Sequence, residues 1–121
     1  MHDVLPAETR SYRRVESAFE KVATLYGYGE VRIPILESTG LFRRCIGDET
    51  DIVGKEMYSF TDAGDEDLTL RPEGTAGAVR AYVQENVAAR EPVTKWFYLG
   101  PMFRRERPQR GRYRQFHQAG A

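Results

Sequence analysis

The stretch YLGPMFRRERPQRGRYRQFHQ, residues 98–118, contains two strand-like segments on either side of an arginine-rich connector. Large apolar and aromatic residues lie before the connector RPQRGR (107–112), and the segment QFHQAGA (115–121) follows it. A disordered basic arm would lack these apolar flanks, so the run predicts a β-hairpin. The Gly100-Pro101 pair predicts a break in its first half, between KWFYL (95–99) and MFRRE (102–106).

The charge of the chain is unevenly distributed. Residues 95–121 carry seven basic side chains and one acidic side chain, a net charge of +6, which leaves −6 for residues 1–94 and zero for the whole chain. A long-range field of this kind would steer an anion to the C-terminal end. The hairpin is therefore the first place to look for a ligand such as a phosphate.

The composition is that of an ordinary globular domain. The chain has 121 residues, 40% of them hydrophobic and 30% charged, which suits one domain with a modest core. The single cysteine, Cys45, permits no internal disulfide, and no apolar run has the length of a membrane span or a signal peptide. We expect a cytoplasmic protein that does not enter a membrane.

Hydrophobic spacing predicts the elements before the hairpin. In residues 7–26, five large apolar side chains recur at steps of three and four, which indicates a helix that either packs on a sheet or binds a partner. EVRIPI (30–35) alternates as a strand that ends near an edge at Pro34, since proline cannot donate to a central ladder. LFRRCI (41–46) predicts a short helix, and GDETDIVGKE (47–56) a loop. The helical positions, in order, are Tyr12, Val15, Phe19, Val22 and Tyr26.

The middle of the chain predicts a second hairpin and a second helix. MYSF (57–60) and LTLR (68–71) flank a turn-rich connector, and a helical period begins just after Pro72 and continues through Val87. Antiparallel hairpins with amphipathic helices predict an α+β fold, an antiparallel β-sheet flanked by helices.

Candidate ligand contacts lie in two segments. Arg104 would offer a planar donor fork to a phosphate, and Glu106, two residues on, should share its side of the strand as a salt-bridge partner or a ligand acceptor. Phe116 would provide either a stacking surface for a base or a core contact. In RPEGT (71–75), Glu73 and Thr75 would cap a helix or meet a ligand ammonium.

Two familiar kinds of site are not indicated. His2 and His117 are isolated, so no zinc site is predicted, and we expect no protein metal ligands. The sequence has neither GxxxxGK[ST] nor GxGxxG, the glycine-rich phosphate loops.

Several long motifs together carry a family resemblance. LTLRPEGTAGAVRA and YLGPMFRRERPQRGRYRQFHQ, with HDVLP, RIPILE, LFRRCIG and TDIVGKEMYSF in the same order, closely resemble histidyl-tRNA synthetases of the bacterial type. The resemblance implies that residues 1–121 are a partial class II aminoacyl-tRNA synthetase catalytic core. Residues 7–34 resemble the first class motif, which forms the homodimer interface, and residues 98–118 the second, which holds ATP. The third motif and the anticodon-binding domain are not matched, so we expect a fragment in which the activity is weakened or lost.

The resemblance also implies a reaction and its residues. Histidine would be activated by ATP, with Mg²⁺ helping to hold the phosphates, and then transferred to tRNA(His). The implied catalytic residue is Arg104, on the ATP α-phosphate. Glu106 would read the adenine amino group, Arg112 would contact the outer phosphates, Phe116 would stack on adenine, and Tyr113 belongs to the same ATP site. Histidine would be contacted by Arg104 and by Glu73, Gly74, Thr75 and Gln118.

Two other functions remain open at this point. The regulatory subunit of ATP phosphoribosyltransferase resembles these synthetases but does not charge tRNA, and a basic hairpin can bind RNA without specificity. The complete set of Arg104, Glu106, Arg112 and Phe116 favours the enzyme. We also expect dimers or swapped assemblies, because a sheet that ends at Ala121 exposes an unpaired edge.

Overall fold

The computed structural model describes residues 1–47, 56–107 and 109–121. Its elements form an α+β fold, as predicted. In chain order they are α1 (Pro6–Leu25), β1 (Gly29–Glu30), β2 (Leu36–Ser38), α2 (Thr39–Ile46), β3 (Tyr58–Thr61), β4 (Asp67–Leu70), α3 (Thr75–Gln84), a 3-10 turn (Val87–Ala89), β5 (Trp96–Phe103) and β6 (Gln115–Gly120).

The described strands form two three-stranded sheets, in the orders β1-β5-β6 and β2-β4-β3. The hairpins β3–β4 and β5–β6 are antiparallel, as predicted, and β2 is antiparallel to β4. The short strand β1 is parallel to β5, so the first sheet is mixed. No helix in the described residues combines the length and hydropathy needed to cross a bilayer.

Strand β5 runs without interruption from Trp96 to Phe103, so the predicted break at Gly100-Pro101 is wrong. Pro101 lies opposite His117 in the register, and the next backbone bond of the ladder joins Arg104 N to Arg114 O at 2.8 Å. Antiparallel pairs alternate, so the nitrogen of Pro101 faces away from β6. A proline is tolerated there because no hydrogen bond from its nitrogen to β6 is needed.

The hairpin has two faces with different neighbours. Residues of even number on both strands, such as Tyr98 and Gln118, point to one face, because side chains alternate along a strand and opposed residues share a side. Helix α1 packs on the other face. There the Tyr12 ring lies 5.2 Å from His117 and the Phe19 ring 5.9 Å from Phe97.

Helix α1 packs on a sheet as predicted, but its packed stripe differs from the predicted one. Tyr12 and Phe19 are partly covered and Ala23 is buried, at spacings of seven and four residues. Val15, Val22 and Tyr26, which the sequence assigned to the packed face, are 69%, 54% and 69% exposed. The apolar surface of α1 is thus broader than one sheet covers.

The segment EVRIPI is a strand only at its first residue, so the prediction for 30–35 is largely wrong. After Val31 N donates to Phe97 O at 2.9 Å, the chain leaves β5. The carbonyls of Ile33 and Pro34 accept hydrogen bonds from the Arg71 side chain instead of from a strand.

The two shorter helices follow the sequence with adjusted ends. Helix α2 contains the predicted segment 41–46, and α3 begins at Thr75, after Pro72, and ends at Gln84. Val87 lies beyond α3 in the 3-10 turn, because Asn86 adopts a left-handed conformation, φ 48°, that ends the helix. The predicted loop 47–56 lies mostly outside the described residues, which include only Gly47 and Glu56 of it.

Candidate active site

The Arg104 side chain is held at the end of β5. Its Nε donates to the carbonyl of Pro72 at 2.9 Å, and its guanidinium carbon lies 5.1 Å from the centre of the Phe116 ring. The side chain remains 24% exposed. One edge of the guanidinium is therefore fixed by the backbone and the ring, which leaves its terminal nitrogens for other acceptors.

Glu106 lies between two arginines. One carboxylate oxygen is 3.9 Å from Arg104 Nη1, and the other is 3.9 Å from Arg112 Nε. The predicted proximity of Arg104 and Glu106 is present, although the regular strand ends before both. Both distances are near 4 Å, and Arg112 is 63% exposed, so its weak ion pair with Glu106 lets Arg112 turn to a ligand at little cost.

Gln118 joins the end of β6 to the start of α3. Its Oε1 accepts a hydrogen bond from Gly74 N at 3.0 Å, which directs the amide nitrogen away from that backbone. Nearby, the hydroxyls of Thr75 and Tyr98 are 3.0 Å apart. Three of the predicted histidine contacts, Gly74, Thr75 and Gln118, are thus in one cluster.

The Tyr98 ring requires glycine on two sides. A Cβ on Gly74 would lie 2.3 Å from Tyr98 Cε2, and a Cβ on Gly120 would lie 2.3 Å from its Cζ. Real Cβ atoms do not approach so closely, so the buried ring fits only between two glycines. The start of α3 is in this way pressed against the hairpin.

Glu73 caps α3. Its Oε2 accepts a hydrogen bond from Thr75 N, and its Oε1 accepts one from Ala76 N at 2.9 Å. The capping interpretation is confirmed for Glu73, whereas Thr75 uses its hydroxyl for Tyr98. A carboxylate that accepts two amide bonds at a helix N-terminus is fixed in direction, and its remaining lone pairs can still meet an ammonium.

The remaining predicted residue, Tyr113, is 46% exposed and contacts the N-terminal segment, with its ring centre 4.7 Å from that of His2. Apart from Tyr113, the predicted ATP contacts lie next to the predicted histidine contacts. Phe116 and Gln118 share a face of β6, and Pro72, Glu73 and Gly74 run past both. Within the described residues, no group of three or more His, Cys, Asp or Glu side chains is arranged to hold a metal ion.

Arg71 is a member of this region that sequence reasoning missed. It is only 6% exposed, and its side chain donates to carbonyls on both sides of it, those of Ile33 and Pro101. Burial lowers the pKa of its guanidinium, and the nearby Glu37 opposes that effect. The local sequence carries no signal of this burial, because alternation in LTLR (68–71) places Arg71 on the side of Thr69, opposite the apolar Leu68 and Leu70, yet Thr69 is fully buried.

This chain is similar to known proteins in sequence and in fold. The sequence model of the family described as histidyl-tRNA synthetase matches residues 1–121. The chain belongs to the histidyl-tRNA synthetase family. The histidine–tRNA ligase of Sorangium cellulosum is 62% identical over 120 residues, and that of Geobacter sulfurreducens 58%. Each alignment covers 99% of this chain but only 28% and 29% of the relative, so the chain spans under a third of the length of these curated relatives.

Solved structures agree with the family and the fold. The crystal structure of apo S. aureus histidyl-tRNA synthetase superposes with a TM-score of 0.77 at 40% identity, over 98% of this chain and 26% of that one. An ATP phosphoribosyltransferase regulatory subunit/histidyl-tRNA synthetase from Bacillus halodurans superposes with a TM-score of 0.79 at 22% identity, over 98% and 29%. At that identity the second likeness shows the fold alone.

Proposed function

We propose that this chain carries part of the catalytic domain of a histidine–tRNA ligase, and that its site activates histidine with ATP before transfer to tRNA(His). The observation that carries the proposal is Arg104, held by Pro72 O beside Phe116 on the same face as Gln118. The 55–62% identity to histidine–tRNA ligases supports it. Domain boundaries follow the proposal, with the first class motif at 7–34 and the second at 98–118.

In the proposed reaction Arg104 binds the α-phosphate of ATP. The histidine carboxylate attacks the α-phosphorus, a new carboxyl-oxygen-to-phosphorus bond forms, and the bond to the β-phosphate oxygen breaks to release pyrophosphate. The guanidinium offsets the negative charge that accumulates on the α-phosphate oxygens during this displacement. Because Arg104 is already anchored, little reorganisation is needed when ATP arrives.

The rest of ATP would occupy the hairpin. Phe116 offers a partly exposed ring on which adenine can stack, and Glu106 offers an acceptor for its amino group. The exposed Arg112 would reach the outer phosphates once it leaves Glu106, and Tyr113 would lie at the rim. Magnesium would enter with ATP, whose phosphate oxygens are its preferred ligands, so a dedicated acidic cluster is not required of the protein.

Histidine would lie against the start of α3. Glu73 is oriented by two amide bonds and would accept the α-ammonium group together with the Thr75 hydroxyl. Gln118 would add a donor or acceptor, and Gly74 would allow close approach because it has no side chain. Arg104 would then serve both substrates, since it lies beside the phosphate and the carboxylate that attacks it.

We further propose that the protein acts in the cytoplasm as a homodimer formed through the first class motif. The exposed apolar stripe of α1 supports this part. The non-catalytic alternative, a regulatory subunit of ATP phosphoribosyltransferase, is supported only by a neighbour of the same fold at 22% identity. Nonspecific RNA binding would not require Arg104 to be anchored, so the ligase is the better supported proposal.

Histidine-dependent exchange between ATP and pyrophosphate tests the proposed function. We expect weakened exchange that is still above background for this chain, and a further loss of about 10- to 100-fold for Arg104→Ala, the range that one hydrogen bond to a charged group contributes. Arg105→Ala is the matched control, because the neighbouring side chain is exposed. Equal exchange by both variants would remove Arg104 from the mechanism, and binding of histidine without ATP would favour the regulatory function.

A further inference from the structure

A buried arginine outside the proposed ligand contacts connects three segments. Arg71 Nη1 donates to Ile33 O at 2.7 Å and, at the longer distance of 3.4 Å, to Pro34 O. Its Nε donates to Pro101 O at 2.9 Å. The chain that follows β1, the end of β4 and the middle of β5 therefore meet at one guanidinium.

The backbone of Arg71 joins the same segments. Arg71 N donates to Ile35 O at 2.9 Å, and Phe103 N donates to Arg71 O at 3.0 Å. Pro101 O and Phe103 N lie on the edge of β5 that faces away from β6, beyond the point where β1 ends. Buried backbone groups need partners, and Arg71 supplies one for each of these two.

This network leads directly to Arg104. Phe103, whose amide is bound to Arg71 O, precedes Arg104 in the chain, and Pro72, whose carbonyl accepts from Arg104 Nε, follows Arg71. The bond from Phe103 N to Arg71 O and the bond from Arg104 Nε to Pro72 O thus join consecutive residues on each side. A shift of the 71–72 backbone would therefore move both the amide before Arg104 and the acceptor of its guanidinium.

The space next to Gly100 is filled by the guanidinium of Arg71. A Cβ on Gly100 would lie 2.6 Å from Arg71 Nη2, so the guanidinium occupies the space that a side chain would take. Arg71 uses two nitrogens of its planar group, one for Ile33 O and one for Pro101 O. A lysine has a single nitrogen and cannot bind both carbonyls in this way. The network thus depends on the shape of the group as well as on its charge.

We propose that Arg71 is a positioning residue that fixes Arg104 in the orientation needed to bind the α-phosphate. The part that concerns phosphate rests on the proposed function, whereas the part that concerns the orientation of Arg104 does not. Arg71 contacts no proposed ligand and acts through the 71–72 backbone and β5.

The test compares Arg71→Lys with Arg80→Lys by two measurements. Arg80 is a matched control, because it is a partly buried arginine that binds Glu37 and Gln84 and none of residues 71–74 or 101–104. The first measurement is hydrogen exchange of the Arg104 Nε–H signal by NMR, with the N–H of Ala23, which is buried in α1, as an internal reference for overall stability. The second is the affinity for ATP.

For Arg71→Lys we expect exchange of the Arg104 Nε–H to rise by about tenfold more than that of the reference, and ATP affinity to fall by about tenfold. Arg80→Lys should change neither the exchange of the Arg104 Nε–H relative to the reference nor the affinity for ATP. Unchanged relative exchange in Arg71→Lys would overturn the proposal, as would faster exchange with unchanged ATP affinity. If the wild-type chain does not bind ATP, the proposed function fails, and the exchange measurement still decides the positioning claim.

A second variant covers the case in which Arg71→Lys does not fold. Gly100→Ala keeps Arg71 but places a methyl group against its guanidinium. We expect the same selective rise in Arg104 Nε–H exchange. A folded Gly100→Ala protein with wild-type exchange at Arg104 would overturn the proposal by itself.

Discussion

A single side chain in this protein can serve structure and ligand together, and Glu73 is the clearest case. Sequence reasoning left two roles open for it, a helix cap and a partner for an ammonium group. The structure confirms the cap through Thr75 N and Ala76 N. The cap also orients the carboxylate, so the second role is compatible with the first.

Two substitutions at this position separate the roles. Glu73→Gln keeps one of the two oxygens that cap α3 and removes the charge, so we expect a loss of about 1 kcal/mol of stability and loss of histidine binding. Glu73→Ala should lose histidine binding and also about 0.5–2 kcal/mol of stability. Thermal unfolding and calorimetric titration with histidine provide the measurements. Retention of wild-type histidine affinity by Glu73→Gln would show that its charge does not contact the amino acid.

The arginines show what sequence cannot specify at this level. Arg104 and Arg105 are adjacent and chemically identical, yet only Arg104 has its guanidinium held by a backbone carbonyl, that of Pro72. The acceptor lies 32 residues away in the chain, so no local pattern predicts it. Family resemblance singled out Arg104, whereas the alternation of LTLR (68–71) would place Arg71 on the side opposite the apolar Leu68 and Leu70.

Among the elements, helix α1 shows how an amphipathic pattern can be correct in kind and wrong in detail. The spacing predicted a helix that packs on a sheet or binds a partner, and the structure confirms the helix and its packing on a sheet. The pattern could not say which part of a broad apolar surface the sheet covers, because Val15 and Phe19 are equally apolar. The sheet takes the stripe of Tyr12, Phe19 and Ala23 and leaves Val15 and Val22 outside.

The uncovered side of α1 is an open surface that contains Ser11, Arg14, Val15, Ala18, Phe19 and Val22. Leu25, one turn further along, is 75% exposed. A second copy of the chain would remove this apolar surface from water, which is the main driving force for association.

This surface gives a direct test of the proposed dimer. We expect wild-type protein to dimerise as its concentration rises in sedimentation velocity, and Val22→Glu to raise the dissociation constant at least about tenfold, because a charge would enter an apolar contact. Ser17→Glu is the control, since Ser17 is exposed on another side of α1. A wild-type protein that stays monomeric at high concentration would contradict the proposed dimer. Equal effects of the two variants would show that the dimer interface is not this surface of α1.

Strand β5 illustrates the opposite error. Gly100 and Pro101 are residues that usually interrupt strands, and a break was predicted there. Both are used inside the strand, Gly100 to admit the Arg71 guanidinium and Pro101 because its nitrogen faces away from β6. The reason in each case is a neighbour from a distant part of the chain, which the local sequence does not contain.

In the molecule as a whole, two small sheets are joined by polar contacts rather than by a shared ladder. Arg71 leaves β4 of one sheet and binds the β5 edge of the other. The sequence predicted the α+β class, both hairpins and most of the three helices, because these depend on local periodicity. It did not predict the division into two sheets or the parallel pairing of β1 with β5, which depend on contacts between residues far apart in the chain.

The charge of the molecule is also unevenly distributed between its two parts, residues 1–94 and residues 95–121. The basic excess of residues 95–121 lies almost entirely on the connector between β5 and β6, which carries all six arginines of that segment, including Arg104 and Arg112, while Lys95 comes just before β5. A positive field over this hairpin would attract a polyanion from a distance, but it acts on every phosphate alike. In the proposed function, selection of the α-phosphate would depend on the fixed geometry of Arg104.

The most direct test of that geometry is a double-mutant cycle between Arg104 and the α-phosphate. Binding of AMP and of adenosine, which differ by that phosphate, is measured for the wild-type chain and for Arg104→Ala. We predict that wild type prefers AMP by at least about tenfold, the effect of one charge-assisted hydrogen bond, and that Arg104→Ala loses most of this preference. The same AMP-to-adenosine ratio in both proteins would contradict the assignment of Arg104 to the α-phosphate.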